Sequence, residues 1–115
     1  MPYNDALIAT LVATKVYDAR VSAILSPGER REMEFFIANT ASQHPVVAGT
    51  GGVRKARWSL AGMGKRGGAR VIYFFFVSRE TVYLFDVYAK NERADLAERE
   101  KKAVRKQIEG IEKQD

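Results

Sequence analysis

The sequence feature that most constrains the fold is the apolar run VIYFFFV at residues 71–77. Successive residues of a strand point to opposite faces, and here both sets are apolar, so both faces of this strand need a covering layer. A second run, TVYLFDVYAK at 81–90, follows a three-residue connection, which is typical of an antiparallel hairpin. The two runs therefore predict a central hairpin that is covered on both sides.

Two helices are predicted before this hairpin, after a short apolar run at 7–12 that favours a first strand. Apolar residues recur at helical spacing from 15 to 25. The next helix begins at SPGE, because Ser26 is a good N-cap, proline fits the first turn, and Glu29 stands three residues after the cap. This helix should run to about Asn39. Its predicted buried side chains are Met33, Phe36 and Ile37.

The stretch VRKARWS at 53–59 alternates in character, as a strand with two different faces does. Lys55 and Arg57 fall on one face, whereas Ala56 and Trp58 fall on the other. The second face suits a core, so the two cations are predicted to project together from the first.

The last helix is predicted to begin at Asp95, with Glu98 as the partner in a second capping box. Its apolar stripe faces the domain, and its remaining positions alternate in charge. The stripe comprises Leu96, Val104, Ile108 and Ile111. One strand, two helices, three antiparallel strands and a helix make a small α+β fold, which we expect to be a single domain over residues 1–115.

Positive charge is concentrated in the middle of the sequence. No Asp or Glu occurs from Phe35 to Arg79, and that stretch carries seven cations, whereas the rest of the chain has 12 cations against 14 anions. Clustered positive charge attracts and orients phosphates. A polyanionic partner is therefore expected.

Two absences limit the chemistry and the location. The chain has no cysteine, which excludes disulfides, thiolate metal sites and cysteine nucleophiles. The 71–77 run is too short to span a bilayer, and the N-terminus lacks the basic-then-apolar order of a signal peptide. We expect a cytoplasmic protein without a membrane partner.

The glycine-rich segment GMGKRGG at 62–68 invites comparison with the phosphate-binding loop GxxxxGK[ST]. Arg66 stands where Ser or Thr would hold magnesium, and the segment leads into a strand rather than a helix N-terminus. Nucleotide hydrolysis is therefore not predicted. The plainer alternative is a hairpin connection that its cations keep soluble.

The positions of the cations argue for more than a solvated loop. Lys55 and Arg57 share a strand face, Arg70 opens the neighbouring strand, and Lys65 and Arg66 lie in the connection between these strands. Antiparallel pairing would bring the five side chains onto one surface, where they repel one another unless an anion binds. The pattern predicts an anion-binding surface.

Other polar residues are given structural interpretations. Asp86, inside an apolar strand, is expected to pair with an arginine. His44, the only histidine, is expected at the surface. Tyr73, Tyr83 and Tyr88 are expected to be half-buried in the sheet, although a tyrosine at the end of such a face can stack on a base.

The segments GTGGVRKARW, GKRGGARVIYF and LFDVYAKNERADL, with the closing helix, resemble the RelE/HigB superfamily of type II toxins, in particular its HigB-like branch. The resemblance extends from about residue 10 to residue 112. It implies a small twisted antiparallel sheet with two N-terminal helices and a C-terminal helix. It also implies a cognate antitoxin, which in HigB systems usually carries a helix-turn-helix domain.

Members of this superfamily are mostly ribosome-dependent mRNA endonucleases that cut codons in the A site of the 30S subunit. The resemblance implies the same chemistry here, in which a ribose 2′-hydroxyl attacks the adjacent phosphorus and leaves a 2′,3′-cyclic phosphate and a 5′-hydroxyl. Such an enzyme must move protons, stabilise extra charge on phosphorus and hold the reacting atoms in line. No metal or cofactor is implied.

The resemblance also assigns roles to site residues. Lys55 and Arg57 match the family's basic pair on the second strand, and Arg70 matches the arginine that opens the next strand. The two arginines would stabilise charge on the phosphate, and Lys55 is a candidate base if neighbouring cations lower its pKa. The candidate general acids, in order of preference, are Tyr73, Lys90 and His44.

Further RNA contacts are expected from the residues around these positions, namely Arg54, Lys65, Arg66 and Asn91. Two departures from RelE accompany the match. Asn91 stands where RelE has an arginine, and the last helix has no tyrosine to match the one in RelE.

Two functions without RNA cleavage stay open. One is inhibition of gyrase, as in the ParE relatives that share the fold, and the other is RNA binding without catalysis. The clustering of Lys55, Arg57 and Arg70 favours the endonuclease, because a protein that only binds another protein has no need of it.

Overall fold

The computed structural model describes residues 8–59, 68–93 and 95–114. This part of the chain confirms the predicted α+β class and the predicted order of elements. The elements are β1 (Thr10–Ala13), α1 (Lys15–Ile24), α2 (Pro27–Asn39), β2 (Arg54–Ser59), β3 (Gly68–Phe76), β4 (Thr81–Ala89) and α3 (Glu98–Lys113). Within it, none of the helices is both long enough and apolar enough to cross a membrane.

The four strands form one sheet in the order β1-β4-β3-β2. β3 is antiparallel to both of its neighbours, as predicted, but β1 runs parallel to β4, so the sheet is mixed. β3 has strands on both sides, and its residues from Gly68 to Phe74 are all buried. This agrees with a central, doubly covered strand.

One face of the sheet is covered by α1 and α2. Tyr17 and Ile37 of these helices are fully buried and pack with sheet residues such as Val71 and Tyr73. The predicted capping box of α2 is present, because Ser26 Oγ accepts from the Glu29 amide and the Glu29 carboxylate accepts from the Ser26 amide. Local sequence therefore sets where α2 begins.

The opposite face is covered by α3 and the segment before it. Leu96, Val104 and Ile108 pack against the sheet, as predicted. The helix begins at Glu98, however, so the prediction that it begins at Asp95 was wrong. The Glu100 carboxylate accepts from the Ala97 amide at 2.8 Å, whereas Asp95 points to a partner in the sheet.

Candidate anion-binding site

Three polar side chains, which we call the arginine row, lie side by side across the sheet on the face that α3 covers. The register places Arg57 of β2 opposite Arg70 of β3, and Arg70 opposite Tyr88 of β4. Directly opposite side chains have Cβ atoms about 5 Å apart, and like charges in such positions destabilise a sheet. The sheet therefore holds two cations together in spite of their repulsion.

The two arginines of the row differ in burial. Arg70 is only 8% exposed, and its Nη1 donates to the Ala69 carbonyl at 3.3 Å. Arg57 is exposed. In the described part of the chain no carboxylate pairs with either guanidinium group. A buried charge without a counter-ion is costly, so the row is suited to an external anion.

Lys55 lies on the same face as this row but has an anionic partner. Its Nζ is 3.0 Å from Asp95 Oδ1, and this hydrogen bond holds the pKa of Asp95 below its ordinary value. The predicted role of Lys55 as a base required cations as its closest neighbours. The structure instead places a carboxylate against its ammonium group, which leaves that role without support.

Arg93 is a residue of this face that the sequence reasoning missed. Its Nη2 donates to Asp86 at 2.8 Å, its Nη1 donates to both carboxylate oxygens of Glu100, and its Cζ lies 4.4 Å from the centre of the Tyr88 ring. Asp86 also contacts Arg20 at 3.4 Å. The prediction that Asp86 pairs with an arginine is confirmed, but the sequence offers no signal that selects Arg93 among the many cations.

Tyr88 is the tyrosine that the fold places beside the cations. It is 1% exposed, and burial, together with the nearby Asp95 carboxylate, raises its pKa. Its hydroxyl is thus protonated at neutral pH, and its ring lies against the guanidinium of Arg93.

Tyr73, the first candidate for general acid, is on the other face. It is fully buried among the residues that α1 and α2 cover, and its hydroxyl donates to the Ala41 carbonyl at 2.6 Å. Burial raises its pKa. The structure separates Tyr73 from the arginine row by the thickness of the sheet, because neighbouring residues of β3 alternate between faces.

Arg54 and His44 also lie with the α1 and α2 side. Arg54 Nη1 donates to the His44 carbonyl at 2.6 Å. The His44 ring is half-buried, packs against Phe36 and Tyr73, and shares a 2.8 Å hydrogen bond with Thr40. The expectation that His44 lies at the surface is met in part, because the residue is partly exposed, and the structure does not bring either residue to the row.

Lys90 and Asn91 follow β4 at the end of the sheet where the row lies. The Lys90 amide donates to the Gly68 carbonyl at 2.8 Å, and both side chains are exposed. Lys90 is two residues beyond Tyr88, so it is the predicted general acid that the fold leaves near the arginines. The predicted RNA contacts Lys65 and Arg66 lie outside the described residues.

The arrangement combines permanent positive charge with a protonated hydroxyl at one end of the sheet. Arginine presents a planar set of donors that matches the oxygens of a phosphodiester. Across residues 8–59, 68–93 and 95–114, no three His, Asp or Glu side chains come together in a way that could hold a metal ion. The guanidinium groups of Arg57 and Arg70 suit an anion such as a phosphate.

Comparison with known proteins places this geometry in context. The family described as the RelE toxin of the RelE/RelB toxin-antitoxin system matches residues 37–114. A structure of E. coli toxin RelE in the free state, with two arginines replaced by alanine, superposes with a TM-score of 0.54. That match has 13% sequence identity and covers 74% of this chain and 86% of that chain. The structural likeness shows a shared fold.

Proposed function

This chain belongs to the RelE toxin family, and from that premise we propose that it is a ribosome-dependent endoribonuclease that cleaves mRNA. The observation that carries this proposal is the juxtaposition of Arg57 and Arg70 without a carboxylate partner in the described structure. A surface that serves only stability gains nothing from two facing cations. A scissile phosphate would neutralise them.

The reaction that fits this site needs only the RNA, the protein and solvent water. The ribose 2′-oxygen gives its proton to water and bonds to phosphorus, while the bond from phosphorus to the 5′-oxygen breaks and that oxygen takes up a proton. Arg57 and Arg70 stabilise the charge that builds on the non-bridging oxygens. Lys90 is our candidate for the proton donor, because Tyr73 and His44 lie on the other face.

The partners follow from the same surface. The family implies an antitoxin, and we propose that it covers part of the arginine row with acidic or polar groups and carries a helix-turn-helix domain. The mRNA would reach the row in the A site of the 30S subunit, where the ribosome holds the codon. The net charge of +5 favours association with the mRNA and with the RNA of the ribosome.

The proposal is tested by inducing the protein in growing bacteria and mapping new 5′ ends on mRNA. We expect cuts at fixed positions within codons of translated regions. Arg57→Ala should reduce cleavage by two orders of magnitude or more, as loss of a group that stabilises transition-state charge does. Because Arg57 is exposed, this variant should stay folded.

Arg99→Ala is the matched control, since Arg99 is an exposed arginine of α3 that is not in the row. It should cleave like the unmodified protein. Arg70→Ala should also abolish cleavage, with circular dichroism to verify the fold of this buried site. Growth arrest with intact mRNA and blocked DNA supercoiling would refute the proposal, as would cleavage that survives in both arginine variants.

A further inference from the structure

Asp95 is an acidic side chain that reaches into a basic surface. Its Oδ1 lies 3.0 Å from Lys55 Nζ, and the two side chains are 58% and 27% exposed. Two other carboxylates of this face, Asp86 and Glu100, are bound by Arg93. Among the described residues, Asp95 is the carboxylate that forms an ion pair with a cation of β2.

Two residues close to Asp95 in sequence, Arg93 and Leu96, are well anchored. Arg93 is held by two carboxylates and by the Tyr88 ring, and Leu96 is 6% exposed in the core under α3. The carboxylate is thus delivered to Lys55 by fixed neighbours. Rotation of the Asp95 side chain alone would release the ammonium group.

A carboxylate and a phosphodiester compete for the same kind of partner. Both carry a negative charge on oxygens that accept hydrogen bonds from an ammonium group. A phosphate that approaches Lys55 also meets repulsion from Asp95 at close range. Occupation of Lys55 by Asp95 therefore weakens any RNA contact at that position.

We propose that Asp95 is an internal competitor for RNA, which occupies Lys55 in the free protein and is displaced by a backbone phosphate. This inference rests on the proposed function, because it takes single-stranded RNA as the ligand. It makes Lys55 a phosphate subsite with a built-in occupant. The low pKa of Asp95 fits this view, because the carboxylate stays charged and paired in the free state.

The test compares the affinity of Asp95→Asn and of the unmodified protein for a 2′-O-methyl RNA oligonucleotide, which cannot be cleaved because the attacking hydroxyl is absent. An exposed ion pair is weak, so we expect Asp95→Asn to bind about two- to fivefold more tightly at low salt. The slope of log affinity against log salt should steepen by about 0.7, since one more phosphate contact forms.

Three further variants separate competition from a general effect of charge, namely Glu98→Gln, Lys55→Gln and the double variant Lys55→Gln/Asp95→Asn. Glu98 is 84% exposed and pairs with Lys101, not with Lys55. Glu98→Gln therefore removes one negative charge without freeing Lys55, and this variant should gain little affinity for RNA. In a Lys55→Gln background, Asp95→Asn should also gain little, because the subsite is missing. The gain must therefore depend on Lys55.

Each contrary result has a distinct meaning. Equal gains in Asp95→Asn and Glu98→Gln, or a gain that persists without Lys55, would refute the internal competitor. Binding that requires Arg70 but ignores Asp95 would do the same and leave the proposed function intact. No binding by any variant would overturn the inference and count against the proposed RNA substrate as well.

Discussion

Tyr73 and Tyr88 lie on neighbouring strands but on opposite faces, and this difference decides what each hydroxyl can do. Tyr73 donates to the Ala41 carbonyl inside the layer formed by α1 and α2, where no substrate has access. Tyr88 lies in the arginine row beneath Arg93. At the scale of single residues, the register of the sheet places Tyr73 on the face that α1 and α2 cover and Tyr88 on the face that carries Arg57 and Arg70.

Tyr73→Phe should therefore lower stability without changing RNA cleavage. Loss of the hydroxyl leaves the buried Ala41 carbonyl unpaired, which should reduce the free energy of unfolding by about 1–2 kcal/mol. Urea denaturation measures this change, and mapping of 5′ ends measures cleavage. Tyr83→Phe is the control, because Tyr83 is half-buried and its hydroxyl makes no side-chain hydrogen bond within the described structure. A stable Tyr73→Phe protein that fails to cut would restore Tyr73 as the acid.

The N-termini of α2 and α3 show how elements differ in the origin of their boundaries. In α2, Ser26 and Glu29 form a reciprocal capping box at 3.0 and 3.2 Å. In α3 the carboxylate of Asp95, an ordinary capping group, instead binds Lys55 of β2, and the helix begins three residues later at Glu98. A tertiary ion pair thus overrides the local capping signal.

Ser26→Ala should destabilise the domain through α2 alone. Loss of the cap leaves the Glu29 amide without its side-chain acceptor and should cost about 1 kcal/mol in the free energy of unfolding. Ser22→Ala, in the interior of α1, removes an exposed contact with the Asp18 carbonyl and should change stability by less than about 0.5 kcal/mol. Urea unfolding of both variants decides the point, and equal effects would mean that the cap does not stabilise α2.

At the scale of the whole molecule, the free energy of unfolding should depend on pH through titratable groups on both faces of the sheet. Burial, with a smaller effect of the Arg54 charge, lowers the pKa of His44 below its ordinary 6.5. Hydrogen bonds from Lys55 and Arg93 lower the pKa values of Asp95 and Glu100. In each case the unfolded chain binds protons at a higher pH than the folded chain does, so acid favours unfolding.

The free energy of unfolding should accordingly fall in two ranges as the pH is lowered. The first decline begins near pH 6.5, where unfolded His44 takes up a proton, and the second begins near pH 4.5, where the carboxylates of the unfolded chain do so. His44→Gln should remove the first decline and keep the second. Urea titrations across this range provide the measurement, and a first decline that persists in His44→Gln would show that another group causes it.

Much of the fold was predictable because its signals are local or periodic. The apolar run of β3 identified the central strand, helical spacing identified α1, and SPGE identified the start of α2. Alternation in β2 also predicted that Lys55 and Arg57 share a face. These features depend on the period of each element, which the sequence states directly.

The composition of the site depended on contacts between distant segments. The pairing register of β2, β3 and β4 placed Tyr88 beside Arg70 and put Tyr73 on the opposite face of the sheet. Folding of the segment before α3 brought Asp95 to Lys55, 40 residues away in sequence, and Arg93 to Asp86 and Glu100. By itself the sequence determined the elements, the basic segment and the shared face of Lys55 and Arg57. Only the tertiary structure decided which side chains meet there, because register and long-range ion pairs arise when elements pack together and not within any one of them.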